Sequence, residues 1–280
     1  MLRPFLRWAG GKQRLVKDIL NYIPQEFRAG TYFEPFLGGG SVFWALKPSK
    51  AHLSDLNAHL IQCYKKIKKN PKLFLSLARA HKKASSKEYY YKIRDEYNAN
   101  ISKNTMAQAA RFYYLNRSSF NGIYRVNQKG HYNVPYDAEK NISIPKLKEL
   151  KEYSACLDNA ILTAGSFRDI IPEVCAGDFV YLDPPYPPLN DTAYFSHYTK
   201  DRFDKDDQKE VAEFAGKLAD KGANVLISNA DTAKIRELYS DSKWKLEELS
   251  VTRVISCKAK RTKVKELLIF NYTPESPKTE

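Results

Sequence analysis

Thr31-Tyr32-Phe33-Glu34-Pro35-Phe36-Leu37-Gly38-Gly39-Gly40-Ser41 reads as a strand that runs into a glycine turn and out into a helix. Apolar and aromatic residues lead in. Three glycines let the backbone turn tightly and approach a ligand, and the chain then enters helical sequence at 41–46, stopped before Pro48. Ala51-His52-Leu53-Ser54-Asp55 follows as a second short strand with an acid at its end. An acid there can accept both hydroxyls of a ribose. The glycines lack GxGxxG spacing, since Ser41, Val42 and Phe43 follow Gly40. That weakens a nicotinamide-dinucleotide reading. A nucleoside without a pyrophosphate needs fewer glycines.

The same alternation returns late in the chain. Phe179-Val180-Tyr181-Leu182 and Asn224-Val225-Leu226-Ile227 are buried-strand runs, and 267–272 closes with another. Residues 208–218 between them place Val211, Phe214, Ala215 and Leu218 on one helical face. Residues 12–22 show helical spacing at Leu15, Val16, Ile19 and Leu20. Strands alternating with helices predict a mainly parallel sheet covered on both faces. From 58 to 157 the texture is helical, at 60–68, 71–83, 89–97 and 106–115. Its aromatics Tyr89, Tyr90, Tyr91, Phe112, Tyr113 and Tyr114 are expected to pack in the core. Residues 116–136 are rich in Asn, Gly, Arg and aromatics, and the alternation at Tyr132-Asn133-Val134 predicts a small hairpin. The organisation is an α/β domain built from both ends of the chain (1–57 and 158–272), a helical module at 58–157, and a frayed polar tail at 273–280.

Composition narrows the partners. Lys+Arg number 46 against 32 Asp+Glu, a formal net charge of +14 in 280 residues. Such a surplus favours a polyanion. Nineteen Tyr and fourteen Phe beside it favour nucleic acid, because aromatics stack on unpaired bases. No run approaches the roughly 18 apolar residues of a spanning helix. The first residues run straight into motif-like sequence with no signal-peptide pattern. Lys65, Lys66, Lys68 and Lys69 read as a solvated helix face. Cys63, Cys156, Cys175 and Cys257 form no CxxC pair and read as buried thiols in a reducing cytosol. The five His make no metal-ligand spacing, which also disfavours a zinc deaminase.

Asp183-Pro184-Pro185-Tyr186, straight after a strand, is the most specific signal. Two prolines stiffen the turn and remove two N–H donors. The Asp183 carboxylate and the Pro184 carbonyl are then fixed acceptors, suited to the two hydrogens of an exocyclic NH₂ group. Such a nitrogen is a poor nucleophile, because its lone pair is delocalised into the ring. Holding both hydrogens frees that pair, and Tyr186 offers a ring face to the base. Trp8-Ala9-Gly10-Gly11-Lys12, at the expected start of the first helix, suits an anion such as a carboxylate.

These motifs stand in the order seen in Dam-type DNA adenine-N6 methyltransferases of the D12 class, which the chain resembles over residues 5–272. Tyr114-Leu115-Asn116-Arg117, Asn121-Gly122, Arg125, Asn133-Val134-Pro135 and Leu226-Ile227-Ser228-Asn229 also match. The resemblance implies a Rossmann-like S-adenosylmethionine-dependent fold with an inserted, mainly helical DNA-recognition domain carrying a β-hairpin. It implies S-adenosylmethionine as cofactor, no metal, and double-stranded DNA as partner, with a monomer on DNA as the default. Trp8, Gly10 and Lys12 would lie at the methionine end of the cofactor. Glu34, Phe36 and glycines 38–40 would lie beneath it, Asp55 at the ribose, and Phe167 beside its adenine. Asp183 would contact both cofactor and target amine, with Pro184, Pro185 and Tyr186 completing the catalytic set.

The segment 118–137 would read the major groove, with GATC the usual site. Arg125 suits guanine. Ile123 and Pro135 suit a thymine methyl, Phe120 wedges where the base leaves, and Arg7 helps read the site. Asn116, Arg117, Asn121 and Asn133 join the DNA-contacting set. Lys258 and Arg261 are expected on phosphate. The implied location is the cytoplasm of a bacterium or phage-infected cell. Cytosine N4, RNA adenine or a glutamine amide as target, and an inactive DNA binder, stay open as alternatives.

Overall fold

The structure, a computed structural model, describes residues 1–24, 27, 29–138, 142–186, 205–253 and 262–274. Its frame is a seven-stranded sheet. In chain order the strands are β1 (Tyr32–Glu34), β2 (Ala51–Asp55), β3 (Ala160–Ala164), β4 (Phe179–Leu182), β5 (Asn224–Ala230), β6 (Lys245–Arg253) and β7 (Thr262–Phe270). In space they run β3-β2-β1-β4-β5-β7-β6. The first five are parallel, while β7 is antiparallel to both β5 and β6. β1 and β4 sit side by side in the middle and are buried along their whole length. Continuous apolar runs mark strands covered on both faces.

Side-chain alternation divides the interior. Phe179, Tyr181, Leu226, Leu268 and Phe270 point into one core, and Val180, Leu182, Val225, Ile227, Leu267 and Ile269 into the other. The second core is closed by helix α8 (Lys205–Asp220) through Val211, Phe214, Ala215 and Leu218. The first is closed by α1 (Val16–Asn21), α2 (Ser41–Leu46) and a helical group. That group is α3 (Ala58–Lys69), α4 (Pro71–Lys83), α5 (Lys87–Ala99), α6 (Met106–Ser118) and α7 (Leu147–Asp158). α6 packs on α3, α4 and α5, and α3 also packs on β2, β3 and α7. A short α9 (Ala233–Leu238) follows β5.

Local chemistry explains the starts of these helices. Asn57 accepts from the His59 and Leu60 amides, Asn70 from Leu73, Ser86 from Tyr89, and Thr105 from Gln108. Each cap satisfies amides that a helix end leaves without partners. Pro71 opens α4, where its missing N–H costs nothing.

Several expectations are corrected. The first helix begins at Val16, not at Lys12, because Gly10 (φ 78°) turns the chain and the Gly11 amide bonds back to the Trp8 carbonyl. Trp8–Lys12 is therefore a loop. The small hairpin is present but short: Val126 bridges Tyr132 antiparallel, with the Asn133 amide donating to Arg125 and the Asn127 amide to His131, and left-handed Asn121 and Gly122 lie between it and a second bridge, Ser119 with Tyr136. Cys63 is buried, but Cys156 is only partly so and Cys175 is exposed; Cys257 lies outside the described residues. On the lysine face Lys68 is half-buried, and its ammonium donates to the Asp158 and Ala160 carbonyls. Of the tail, only Thr273 and Pro274 are described, and the Thr273 hydroxyl accepts from Lys245. Among the described residues no helix is long and apolar enough to cross a membrane.

Candidate active site

β1 and β4 are neighbours, yet the chain leaves β1 toward β2 and β3 and leaves β4 toward β5. Their carboxyl ends therefore open a crevice where the strand order reverses. The glycine loop leaves β1 into this crevice, and Asp183-Pro184-Pro185-Tyr186 leaves β4 into it.

The glycine loop is held from below. Gly38 has φ 47°, and a Cβ on it would lie 2.7 Å from Cδ1 of Trp8. Gly40 has φ 67°, and a Cβ would lie 2.9 Å from Nε1 of Trp44. Only glycine takes both the turn and the packing. The Trp44 indole N–H donates to the Gly39 carbonyl at 2.9 Å, and the Tyr64 hydroxyl to that of Gly38 at 3.2 Å.

Asp55 closes the loop's far side. Its two carboxylate oxygens accept from the Gly38 and Asn57 amides, both at 2.8 Å. Burial pushes this carboxyl up to about 6, and the two amide hydrogen bonds hold it back from going higher. Glu34 is buried and accepts from the Tyr32 hydroxyl at 2.9 Å. Burial drives its carboxyl well above the usual range, with the Asp183 charge adding to the shift.

Lys12 is the centre of the other wall. It is 5% exposed, and its ammonium lies 2.5 Å from an Asp183 oxygen, 3.4 Å from Oε1 of Glu266 and 4.5 Å from the centre of the Tyr186 ring. It also donates to the Gly10 carbonyl at 3.0 Å. The Tyr186 hydroxyl donates to Glu266. Burial and the carboxylates of Asp183 and Glu266 hold this phenol well above its usual range, so it stays a donor. The loop is pinned from α8: the Gln208 amide donates to the Pro185 carbonyl at 2.7 Å, and the Asn229 amide donates to Gln208 at 2.9 Å. Phe36 stacks on Phe167 (centroids 5.1 Å, 30°), with the Arg168 guanidinium 4.5 Å from the Phe167 ring centre. Among the described residues no group of three or more His, Cys, Asp or Glu is arranged to hold a metal ion.

These parts have a counterpart in known proteins. The model of the D12 class N6 adenine-specific DNA methyltransferases matches residues 8–255. The chain belongs to this class. It is 38% identical to the type II methyltransferase M1.LlaDCHI of Lactococcus lactis subsp. cremoris, over 97% of this chain and 96% of that protein. It is 37% identical to the DNA adenine methylases of Vibrio cholerae and Escherichia coli K12, with the same coverage. The D12 chain is thus an adenine-N6 DNA methyltransferase, and its Rossmann-like sheet is the methyltransferase frame.

Some of the remaining residues expected from the sequence meet at one cleft of the D12 chain. Arg7, Trp8, Gly11, Ser41, Arg117 and Asn121 line a cleft of about 410 Å³. Arg7 Nη1 and Arg117 Nε are buried and have no hydrogen-bond partner among the described residues. Burial and the charge of Arg117 pull the Arg7 guanidinium below its usual range. Phe120 is 54% exposed. Tyr124, Tyr132 and Val134 face inward, while Arg125 and Pro135 are exposed and Ile123 and Asn133 half-buried. Asn133 accepts from Nε of Arg125 at 2.8 Å. Asn116 is buried, bonded to the Arg7 backbone and the Gly122 carbonyl. Lys258 and Arg261 lie outside the described residues. Sequence reasoning missed Glu266, Gln208 and Tyr32 as site residues. A lone acid in an apolar strand, Lys265-Glu266-Leu267-Leu268, was the available signal for the first.

Proposed function

We propose that this methyltransferase uses S-adenosylmethionine, flips its target adenine out of duplex DNA and acts at GATC as a monomer. The observation that carries the reading is the meeting, at one strand-order reversal, of Asp183 after β4 with the glycine loop after β1 and its Asp55.

The donor set fits such a cofactor. Each Asp55 oxygen takes one backbone amide and retains acceptor capacity for a ribose hydroxyl. The Ser41 hydroxyl is buried at the cleft beside Gly11 and Gly39, with no hydrogen-bond partner among the described residues. A Cβ on Gly10 would meet nothing within 4 Å, so its backbone is open to approach. Trp8, Gly10 and Lys12 would hold the methionine end, Glu34, Phe36 and glycines 38–40 the underside, and Phe167 the adenine ring. When bound, S-adenosylmethionine supplies an electrophilic methyl group on a sulfonium sulfur.

The chain's own residues prepare the nucleophile. Asp183 and the Pro184 carbonyl take the two N6 hydrogens, which draws the nitrogen lone pair out of the ring. Asp183 is paired with the Lys12 ammonium at 2.5 Å. It orients the amine, and the proton is lost to solvent water after the nitrogen has become cationic. Pro185 stiffens the turn and Tyr186 covers the base. Positioning and fixed charges supply most of the acceleration.

Residues 58–157 act as the recognition module and 1–57 with 158–272 as the catalytic part. The two unpartnered guanidinium atoms of Arg7 and Arg117 suit phosphate or base acceptors. Asn121 lines the same cleft, Asn133 holds the Arg125 guanidinium that reads guanine, Ile123 and Pro135 meet a thymine methyl, and exposed Phe120 fills the gap left by the base. Flipping costs about a few kcal/mol.

The test uses two duplexes, one with GATC and one with those bases scrambled. Each is incubated with protein and S-adenosylmethionine, digested to nucleosides and assayed for N6-methyladenine by mass spectrometry. Methyladenine from GATC alone is expected, and Asp183→Ala should abolish it while leaving the fold intact. Methyladenine from both duplexes overturns the site assignment, and none from either overturns the substrate.

A further inference from the structure

Tyr124 and Arg125 are neighbours in the segment proposed to read DNA, and they point opposite ways. Arg125 is exposed, while Tyr124 is 6% exposed. Val126 is bridged to Tyr132, and successive side chains of paired, extended backbone alternate in direction. The inward ring of Tyr124 stacks on Trp8 (centroids 5.8 Å, 20°) and lies against Phe112 and Tyr132, at 5.8 and 5.7 Å.

Behind Tyr124 stands the frame that holds Asp55. Each Asp55 oxygen accepts one backbone amide, from Gly38 on one side and Asn57 on the other, both at 2.8 Å. The Trp8 indole covers Gly38 so closely that a Cβ there would lie 2.7 Å from its Cδ1. At the other end of the ring, the Tyr124 hydroxyl neighbours the Asn57 side chain. One side chain of the reading segment therefore backs both residues whose amides fix Asp55.

We infer that Tyr124 is a positioning residue that couples duplex to cofactor: through its stack on Trp8, a duplex read at Arg125 holds the glycine loop and Asp55 in the form that binds the cofactor. The inference rests on the cofactor and DNA readings above. Just before Tyr124 the chain takes a left-handed turn at Asn121 (φ 56°) and Gly122 (φ 64°). Such a conformation costs energy at a residue other than glycine. A duplex that binds the observed form selects it, and the buried ring passes that selection to Trp8 by direct packing. The coupling is reciprocal, so duplex and cofactor tighten each other by the same factor.

The experiment is calorimetric binding of S-adenosylhomocysteine, which has no methyl group to transfer, to the full chain. Its Kd is measured without DNA, with the duplex methylated in the assay above, and with a duplex that is not methylated. In the wild type the methylated duplex should tighten the Kd about tenfold, within the usual range of coupling between sites, and the other duplex should not. Tyr124→Leu removes the stack and should bring the ratio of Kd values to about one. Tyr124→Phe keeps the ring and should keep the ratio. A merely structural role would weaken binding with and without duplex alike and leave the ratio unchanged.

A wild-type ratio retained in Tyr124→Leu overturns the inference, as does a ratio lost in Tyr124→Phe, which would assign the coupling to the hydroxyl. If Tyr124→Leu does not fold, hydrogen exchange on the wild type decides. The methylated duplex alone should slow the amides of Gly38 and Asn57, and unchanged exchange there overturns the inference. Wild-type protein that does not bind S-adenosylhomocysteine fails the cofactor reading, and protein that methylates no duplex fails the DNA reading; the inference falls with either. Binding and methylation with equal Kd values throughout fail the inference alone.

Discussion

The Asn116 side chain holds the backbone of Arg7 at both of its polar groups: its oxygen accepts the Arg7 N–H at 2.9 Å, and its amide donates to the Arg7 carbonyl at 2.7 Å. The same amide donates to the Gly122 carbonyl at 3.2 Å. A Cβ on Gly122 would lie 2.6 Å from the Arg7 Cβ, so the two segments meet without a spare gap. The next residue, Trp8, stacks on Tyr124 (5.8 Å, 20°) and lies against Gly38. One buried asparagine thus joins the glycine loop's cover to the segment proposed to read DNA.

Asn116→Ala is expected to cost about 1–3 kcal/mol of stability, because it leaves buried backbone groups without partners. Urea unfolding of wild type and variant measures this. A shift below the error of the midpoint would show that water replaces the side chain and that the joint is loose. The same variant should weaken duplex binding in a mobility-shift titration, since Arg7 and Gly122 would no longer be held together.

On the proposed reading, with Asp55 at the cofactor's ribose, cofactor binding depends on pH. The Asp55 carboxyl titrates at about 6 in the folded chain, above its ordinary 3.8, because burial favours the neutral form. A raised carboxyl means that the folded state takes up a proton that the unfolded chain has released between those two values. Ribose hydroxyls need the ionised acceptor. S-adenosylmethionine affinity should therefore be flat above pH 7 and fall toward about tenfold per unit as the pH drops below about 6. Calorimetric titrations from pH 5 to 8 check this. Asp55→Asn should bind weakly at every pH and lose the dependence, and a variant that keeps the wild-type slope would assign the titration to another group.

Gln208 predicts a split between binding and rate. Its amide bonds the Pro185 carbonyl, and its oxygen accepts from Asn229, so it ties the loop to β5. Gln208→Ala should lower the single-turnover rate about tenfold, or about 1.4 kcal/mol in barrier, and leave the cofactor Kd near wild type. Gln208→Glu keeps the oxygen but loses the donor to Pro185, and should fall with Gln208→Ala. A loss confined to cofactor Kd would instead place Gln208's effect on the cofactor side.

How much of this was legible follows from where each residue sits. β1 and β4 were readable because central parallel strands bury both faces and leave unbroken apolar runs. The caps Asn57, Asn70, Ser86 and Thr105 mark helix starts by local chemistry alone. β3 and β6 were not readable. β3 is an edge strand with Ile161 57% exposed, so its pattern is broken. β6 opens Lys245-Leu246-Glu247-Glu248-Leu249, whose charges suit a helix, and only pairing with β7 makes it a strand. Lys12 and Asp183 were legible as separate motifs, but their contact was not, because it spans 171 positions. Glu266 joins them only through the antiparallel insertion of β7 between β5 and β6, which no local pattern encodes.

Arg125 gives the sharpest test of DNA reading. Its side chain is exposed, but its guanidinium is not loose: Nε donates to the Asn133 side chain at 2.8 Å and Nη2 to the Asn133 carbonyl at 3.3 Å. Those bonds spend one edge of the fork and keep further N–H donors for a guanine O6 and N7. Arg125→Ala should then lose about 1–3 kcal/mol of discrimination at one base pair, and little at the others. Asn133→Ala should produce a weaker form of the same defect, since the guanidinium remains but is no longer aimed. Methylation rates on duplexes substituted one base pair at a time within GATC decide it. A uniform loss across all sites would make Arg125 a phosphate contact, with a reduced salt dependence of binding as its mark.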